Sequence, residues 1–266
     1  MASGLTAETS EQTRFSLTVA WDGAPFYGWQ SQPGGGTIQQ FFEEALREIL
    51  GGEMVRITAS GRTDAGVHAL AQVISFACST RRTEKAILRG LNGLLPPEIA
   101  VLSVRTVPLA YDPRRWARRK LYRYRVLNRS VRCPHRLGKV WYHRKPLDVA
   151  AMSAAIPDLV GEHDFTSFRA TGCTAAHPRR RLLSAQILSQ GDELHFEFIG
   201  NGFLRYQVRN MVGTLIQIGH GQRAPDSIPA LLAACDRKQA GVTAPSHGLW
   251  LVWVEVGDGP REDSDV

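Results

Sequence analysis

The sequence predicts an α+β protein made of two ferredoxin-like halves whose antiparallel sheets join around a central cleft. Three observations predict it. Period-two strands and amphipathic helices alternate in the first half in the order strand, helix, strand, strand, helix, strand, a split βαβ arrangement. The second half repeats that order less cleanly, and a pair of equivalent halves implies a cleft between them, where ligands tend to sit. The chain's 266 residues suffice for one large domain or two ordinary ones, and a hydrophobic content of 43% is normal for a protein that buries a core. The expected divisions are a disordered tail over 1–12, an N-terminal half over 13–108, a C-terminal half over 109–257 and a polar tail over 258–266.

Arg14 to Trp21 sets Phe15, Leu17, Val19 and Trp21 against Ser16, Thr18 and Ala20, a half-buried strand ended by Asp22-Gly23. The loop from Ala24 to Gly36 carries Phe26, Tyr27 and Trp29. It is expected to fold back on the core, with stacking on bases as the alternative. Thr37-x-x-Gln40 reads as a capping box, and Ile38, Phe41, Phe42, Ala45, Leu46, Ile49 and Leu50 follow at helical spacing until Gly51-Gly52. Val55 to Ala59 and Ala69 to Ala77 read as strands. Thr83 to Leu95 reads as a helix halted by Pro96-Pro97, and Ile99 to Val107 as the fourth strand. In the second half, Lys120 to Leu127 is an expected strand and Leu147 to Val160 an expected helix containing Pro157. A hairpin over Arg181 to Ser189 and Glu193 to Ile199 turns at Gly191-Asp192. A helix over Arg205 to Gly219, a shorter one over Asp226 to Asp236 and a last strand over Leu249 to Val256 complete it.

Lys and Arg number 32 against 25 Asp and Glu, a formal charge of +7, and no acid at all occurs from Pro113 through Leu147. That interval holds thirteen cations, Arg114, Arg115, Arg118, Arg119 and Lys120 among them. A solvated face usually mixes signs, so the stretch points to a polyanion, and nucleic acid is the natural partner. The four cysteines, Cys78, Cys133, Cys173 and Cys235, form no C-x-x-C pair and no zinc-ligand spacing, so free buried thiols are expected. The polar first dozen residues lack the pattern of a secretory signal and no apolar run approaches a membrane span, which predicts a cytoplasmic protein with no membrane partner.

The stretch Ser60-Gly61-Arg62-Thr63-Asp64-Ala65-Gly66-Val67-His68 places one carboxylate in a short polar loop between two glycines. Glycine lets such a loop turn sharply and lets a bulky ligand approach its backbone. Arg62 would favour the charged form of Asp64, and a carboxylate kept charged serves as nucleophile or base. The alternative is a plain hairpin connection in which Asp64 bonds backbone amides and Arg62 faces water.

Tyr122 and Tyr124 share one face of their strand and Arg123 and Arg125 the other, a pattern that packing alone would also produce. On the helix from Arg205 to Gly219, Val208, Met211, Val212, Leu215 and Ile216 form an apolar stripe. Arg205 falls inside that arc and Arg209 at its edge. An arginine turned toward a core needs an anionic partner unless its guanidinium snorkels to water.

The string SGRTDAGVHA resembles the signature of the TruA-type tRNA pseudouridine synthases. The resemblance extends over nearly the whole chain, through WDGAPFYGWQSQ, KLYRYRVLN, GEHDFTSFRA, GNGFLRYQVRNMVG and GLWLVWVEV. It implies an RRM-like fold for each half and a homodimer that acts on uridines 38, 39 and 40 of the tRNA anticodon stem-loop. It implies Asp64 as catalytic nucleophile, Arg62 as the residue that helps displace the target nucleotide, Tyr122 as the one that packs on uracil, and Arg209 as the partner of the carboxylate. Arg114, Arg118, Arg119, Lys120 and Arg205 are further candidates for substrate binding. The pattern departs from the family at Asp112-Pro113-Arg114-Arg115-Trp116, at Ala176 to Arg180 and at His247.

The implied isomerisation breaks the bond from ribose to uracil N1 and remakes it to C5, so no redox cofactor, nucleotide or metal is expected. A base stacked in a stem must first be extruded, at a cost of a few kcal/mol recovered from phosphate contacts and stacking. Whether Asp64 adds to the ribose, adds to the ring or removes a sugar proton stays open. One rival reading is a catalytically silent RNA-binding module, which would have lost one of Asp64, Arg62, Tyr122 or Arg209. The other is a hydrolase, which would show further carboxylates or a metal cluster.

Overall fold

The computed structural model describes residues 12–261. The expected disordered tail, apart from residue 12, and the last five residues of the polar C-terminal tail lie outside the described residues.

The first half runs β1 (Thr13–Trp21), α1 (Ile38–Ile49), β2 (Thr58–Ala59), β3 (His68–Cys78), α2 (Glu84–Leu94) and β4 (Ile99–Val107). It matches the expected order. β1 lies between β3 and β4, antiparallel to both, and its Phe15, Leu17, Val19 and Trp21 are buried. α1 turns Ile38, Phe42, Ala45 and Leu46 inward, and Thr83 caps α2 by accepting from the amide of Ala86 at 3.2 Å. The capping box expected at Thr37 is not formed. The Thr37 hydroxyl is buried without a hydrogen-bond partner, and Gln40 donates along the helix to Glu44 at 2.9 Å instead. β2 is two residues long rather than five, because the segment before it pairs with no strand.

The second half begins with α3 (Pro113–Trp116), a short helix that the sequence pattern does not reveal. Asp112 caps it by accepting from the amides of Arg114 and Arg115, and Pro113 occupies its first turn. Then come β5 (Ala117–Asn128), β6 (Trp141–His143), α4 (Val149–Ala154), β7 (Gly161–Asp164), β8 (Arg179–Gln190), β9 (Glu193–Gly200), α5 (Gln207–Gly219), α6 (Ile228–Ala234) and β10 (Leu249–Val256). Asp148 caps α4, which stops before Pro157 instead of running through it. α5 starts two residues later than its periodicity suggests. Tyr206 takes a left-handed conformation with φ 65° at its N-terminus, and that turn puts Arg205 outside the helix.

The strands form one continuous mixed sheet in the order β4-β1-β3-β10-β5-β9-β8-β7, with β2 beside β3 and β6 beside β5. This differs from two antiparallel sheets: the halves are joined where β10 runs parallel to β3 at His68 and Ala69. β3 therefore shares one edge between β2, at Ile74 and Ser75, and β10, at its first two residues. The chain from Ser60 to Val67 leaves β2 and re-enters the sheet at that seam. One buried apolar cluster extends through both halves from Phe15 to Leu251. Among the described residues no helix is long and apolar enough to cross a membrane.

Candidate active site

The loop at the seam is held from several sides. The Lys120 ammonium donates to the carbonyl of Ser60 at 2.6 Å, Gln72 Nε2 donates to the carbonyl of Gly61 at 2.8 Å, and the Ser60 hydroxyl donates to Gln72 Oε1. The aromatic loop supports its other end. Phe26 and Trp29 fold into the core as expected, the Trp29 amide donates to the carbonyl of Thr63, and the Gly66 amide donates to the carbonyl of Phe26. A side chain at Gly28, where φ is +89°, would lie 2.8 Å from the Thr63 carbonyl, so only glycine allows this approach. His68 closes the loop. Its Nδ1 accepts from the amide of Gly23 at 3.0 Å, while Nε2 faces the carbonyls of Gly138 and His247 at 3.0 and 3.2 Å. Burial lowers the pKa of His68, so a neutral ring carrying its proton on Nε2 satisfies these partners. His247 takes part through its backbone, so its departure from the family pattern leaves this contact unchanged.

Asp64 stands on this support with a quarter of its side chain exposed. Arg209 Nη1 lies 3.3 Å from Oδ2, and Arg205 Nε lies 3.9 Å from Oδ1. Arg209 is itself fixed, since its Nε donates to the carbonyl of Ala244 at 2.7 Å. The Tyr206 ring is flanked by both guanidiniums, 4.8 Å from that of Arg205 and 4.5 Å from that of Arg209. Burial raises the carboxyl of Asp64 above the usual carboxylate range; Arg209 and then Arg205 oppose that rise without cancelling it. Tyr122 is buried, meets Phe203 edge to face at 5.1 Å, and has its phenol made less acidic by burial and by the charge of Asp64. It therefore stays protonated at working pH. Chemically, the site presents a partly exposed carboxylate backed by a cation, next to an aromatic wall.

The structure thus brings Asp64, Arg209, Arg205 and Tyr122 together. Arg62, expected to hold Asp64 ionised, is exposed and makes no ion pair with it among the described residues; Arg209 and Arg205 take that place. Arg114 is exposed on α3. Arg118 donates to the carbonyl of Gly259, Arg119 pairs with Glu255 at 2.7 Å, and Lys120 is buried beneath the loop. The acid-free interval is not a bare cationic face either. Arg123 pairs with Glu197 at 2.6 Å, Arg125 with Glu193 at 2.9 Å, Arg129 with Asp192 at 2.9 Å, and Lys139 with Asp22 at 3.3 Å. Strand pairing supplies the acids that the local sequence lacks. Sequence reasoning passed over Phe203 and Tyr206 as individuals, although both stand in the matching string GNGFLRYQVRNMVG.

A lone, partly exposed carboxylate seated on a sheet seam beside an arginine and an aromatic wall is equipped to act as a nucleophile or a base. A model of the tRNA pseudouridine synthase family matches residues 17–114 and 155–255, and the chain belongs to that family of RNA isomerases. It is 45% identical over 248 residues to the tRNA pseudouridine synthase A of Myxococcus xanthus, covering 93% of each chain. It is 46% identical over 236 residues to that of Pelobacter propionicus, covering 89% of this chain and 96% of the relative. A tRNA pseudouridine synthase A of Bacillus cereus is 42% identical over 238 residues, with 90% and 96% covered.

Proposed function

We propose that the protein converts uridine to pseudouridine at positions 38, 39 and 40 of the tRNA anticodon stem-loop, with Asp64 as nucleophile. The single observation that carries the reading is the pairing of Asp64 with Arg209 at 3.3 Å on a loop that remains open to solvent. A carboxylate made more basic by burial, with two arginines beside it that favour its charged form, is suited to attack an electrophilic carbon of the nucleotide. Arg209 holds it in place and offsets its charge. Tyr122, unable to ionise, offers an aromatic edge to the uracil. Arg62, exposed next to Asp64, fills the gap left by the displaced nucleotide, which recovers part of the extrusion cost. Arg114 and Arg205 meet backbone phosphates.

The glycosidic bond to N1 breaks, the ring turns, and C5 bonds to the ribose while the C5 hydrogen leaves as a proton and N1 gains one. The balance needs no oxidant and no water.

The strand order β4-β1-β3-β2 supports a ferredoxin-like N-terminal unit over 13–108, with 109–257 as its counterpart. We further read the protein as a cytoplasmic homodimer that grips the tRNA with both subunits. The sheet face carrying Trp250, Trp253 and the Arg123–Glu197 and Arg125–Glu193 pairs, half-buried in one chain, suits such a contact. The test is tritium release from tRNA labelled as [5-³H]uridine. Release that disappears in Asp64→Ala is expected; release retained in that variant overturns the assignment.

A further inference from the structure

Lys120 lies on the same face of β5 as Tyr122 and Tyr124, and its side chain runs under the loop that carries Asp64. Only 8% of it is exposed, and its one hydrogen bond among the described residues goes to the carbonyl of Ser60, four residues before Asp64. A Cβ added at Gly61 would lie 3.0 Å from Nζ, so the ammonium is packed directly against the loop backbone. Burying a lysine is expensive. The charges that face it make the cost higher, since they are Arg114 from α3, Arg180 from β8 and Arg261 from the C-terminal segment, all cations. Together, burial and these arginines push Lys120 down to about 7. A methionine would fill the same space without that cost.

We propose that Lys120 is a positioning residue for Asp64, holding the Ser60-Gly61 stem of the loop at the height from which the carboxylate reaches the bound nucleotide. The proposal rests on reading Asp64 as the nucleophile. A charged amine donates the stronger bond to a carbonyl. The hold on the loop is therefore firmest below the ionisation of Lys120 and weakens as pH rises through it.

The test compares Lys120→Met with the wild-type protein on labelled tRNA transcript. In the variant, kcat is expected to fall at least tenfold while the dissociation constant for tRNA stays within about threefold. The melting temperature should be unchanged or higher, because removing a buried charge offsets the lost hydrogen bond. The ratio of wild-type to variant kcat/KM should decline as pH rises through about 7. A lysine that serves only packing would leave this ratio flat. A kcat within threefold of wild type, or a flat ratio, overturns the proposal. Should Lys120→Met fail to fold, Gly61→Ala decides: its new methyl presses on Nζ from the loop side, so a lowered kcat with tRNA binding intact is expected and an unchanged kcat overturns it. Wild-type protein that binds tRNA but releases no tritium overturns the reading of Asp64 itself. A Lys120→Met defect, by contrast, can be absent while that reading stands.

Discussion

Arg209 joins Asp64 to the carbonyl of Ala244: Nη1 faces the carboxylate at 3.3 Å while Nε donates to the carbonyl at 2.7 Å. The guanidinium cannot follow the carboxylate without breaking a second bond, so the pair is fixed in geometry as well as in charge. Because Arg209 opposes the rise that burial imposes on Asp64, its removal should raise that carboxyl further. Arg209→Met is expected to lower kcat by about 10²–10³-fold, the scale of losing one preorganised charge partner. The acid limb of kcat/KM should move to higher pH, since a larger fraction of Asp64 is then protonated at any given pH. A pH profile of the variant checks both, and an acid limb left in place would remove Arg209 from the site.

Asp64→Ala should abolish turnover and leave tRNA affinity within about threefold, because binding is carried by cations elsewhere. The sign of its effect on stability follows from the raised carboxyl. A group whose pKa is higher in the folded state contributes stability below its unfolded pKa and loses it as pH rises through the folded value. Once ionised, Asp64 is therefore no asset to the fold, and thermal denaturation at pH above the acid limb of the activity profile should show the variant no less stable than wild type.

Much of this site is legible in the sequence because its chemistry is local. Asp64, its flanking glycines and the first two residues of the strand that follows occupy ten consecutive residues, Ser60 to Ala69, and the sequence places the strands Ile99–Val107 and Leu249–Val256 at their observed bounds. Most of the failures come from partners brought from far along the chain, and one from a local turn of the backbone. The cations of the acid-free interval meet Glu193, Glu197 and Glu255, 68, 74 and 136 residues away, through the antiparallel pairing of β5 with β9 and β10. Helical periodicity places Arg205 in the core only if Tyr206 is helical, and its left-handed backbone breaks the projection. Nothing in local sequence distinguishes Lys120, buried under a loop sixty positions earlier, from the exposed arginines around it.

Tyr124 provides a separate check on how Arg209 is held. Its hydroxyl donates to the carbonyl of Pro245 at 2.7 Å, next to the Ala244 carbonyl that anchors Arg209. Tyr124→Phe leaves that acceptor unpaired in a buried setting, at a cost of about 1–3 kcal/mol. Each kcal/mol corresponds to roughly 2–4 °C in melting temperature for a chain of this size. Activity should fall beyond what the lost stability explains, because Arg209 loses the fixed position of its carbonyl anchor. Calorimetry and kcat measured well below the melting range separate the two effects.

The paired and unpaired arginines should respond to salt in opposite ways. Removing a cation that meets a phosphate reduces the slope of log affinity against log salt by about one. Arg114→Gln, on the exposed surface of α3, and Arg62→Gln, on the loop, should therefore weaken tRNA binding and flatten its salt dependence. Arg123 and Arg125 are engaged with Glu197 and Glu193, carboxylates that are 11% and 6% exposed. Removing either arginine takes the main cation from a largely buried acid that keeps weaker support, Gln186 at 2.8 Å for Glu197 and Arg136 and His195 at 3.1 and 2.9 Å for Glu193, and should cost about 1–3 kcal/mol of stability with the salt slope unchanged. Binding titrations across a salt series, run beside thermal melts, discriminate the two groups. A salt slope that drops in Arg123→Gln would mean that RNA, and not Glu197, is the partner that matters for that side chain.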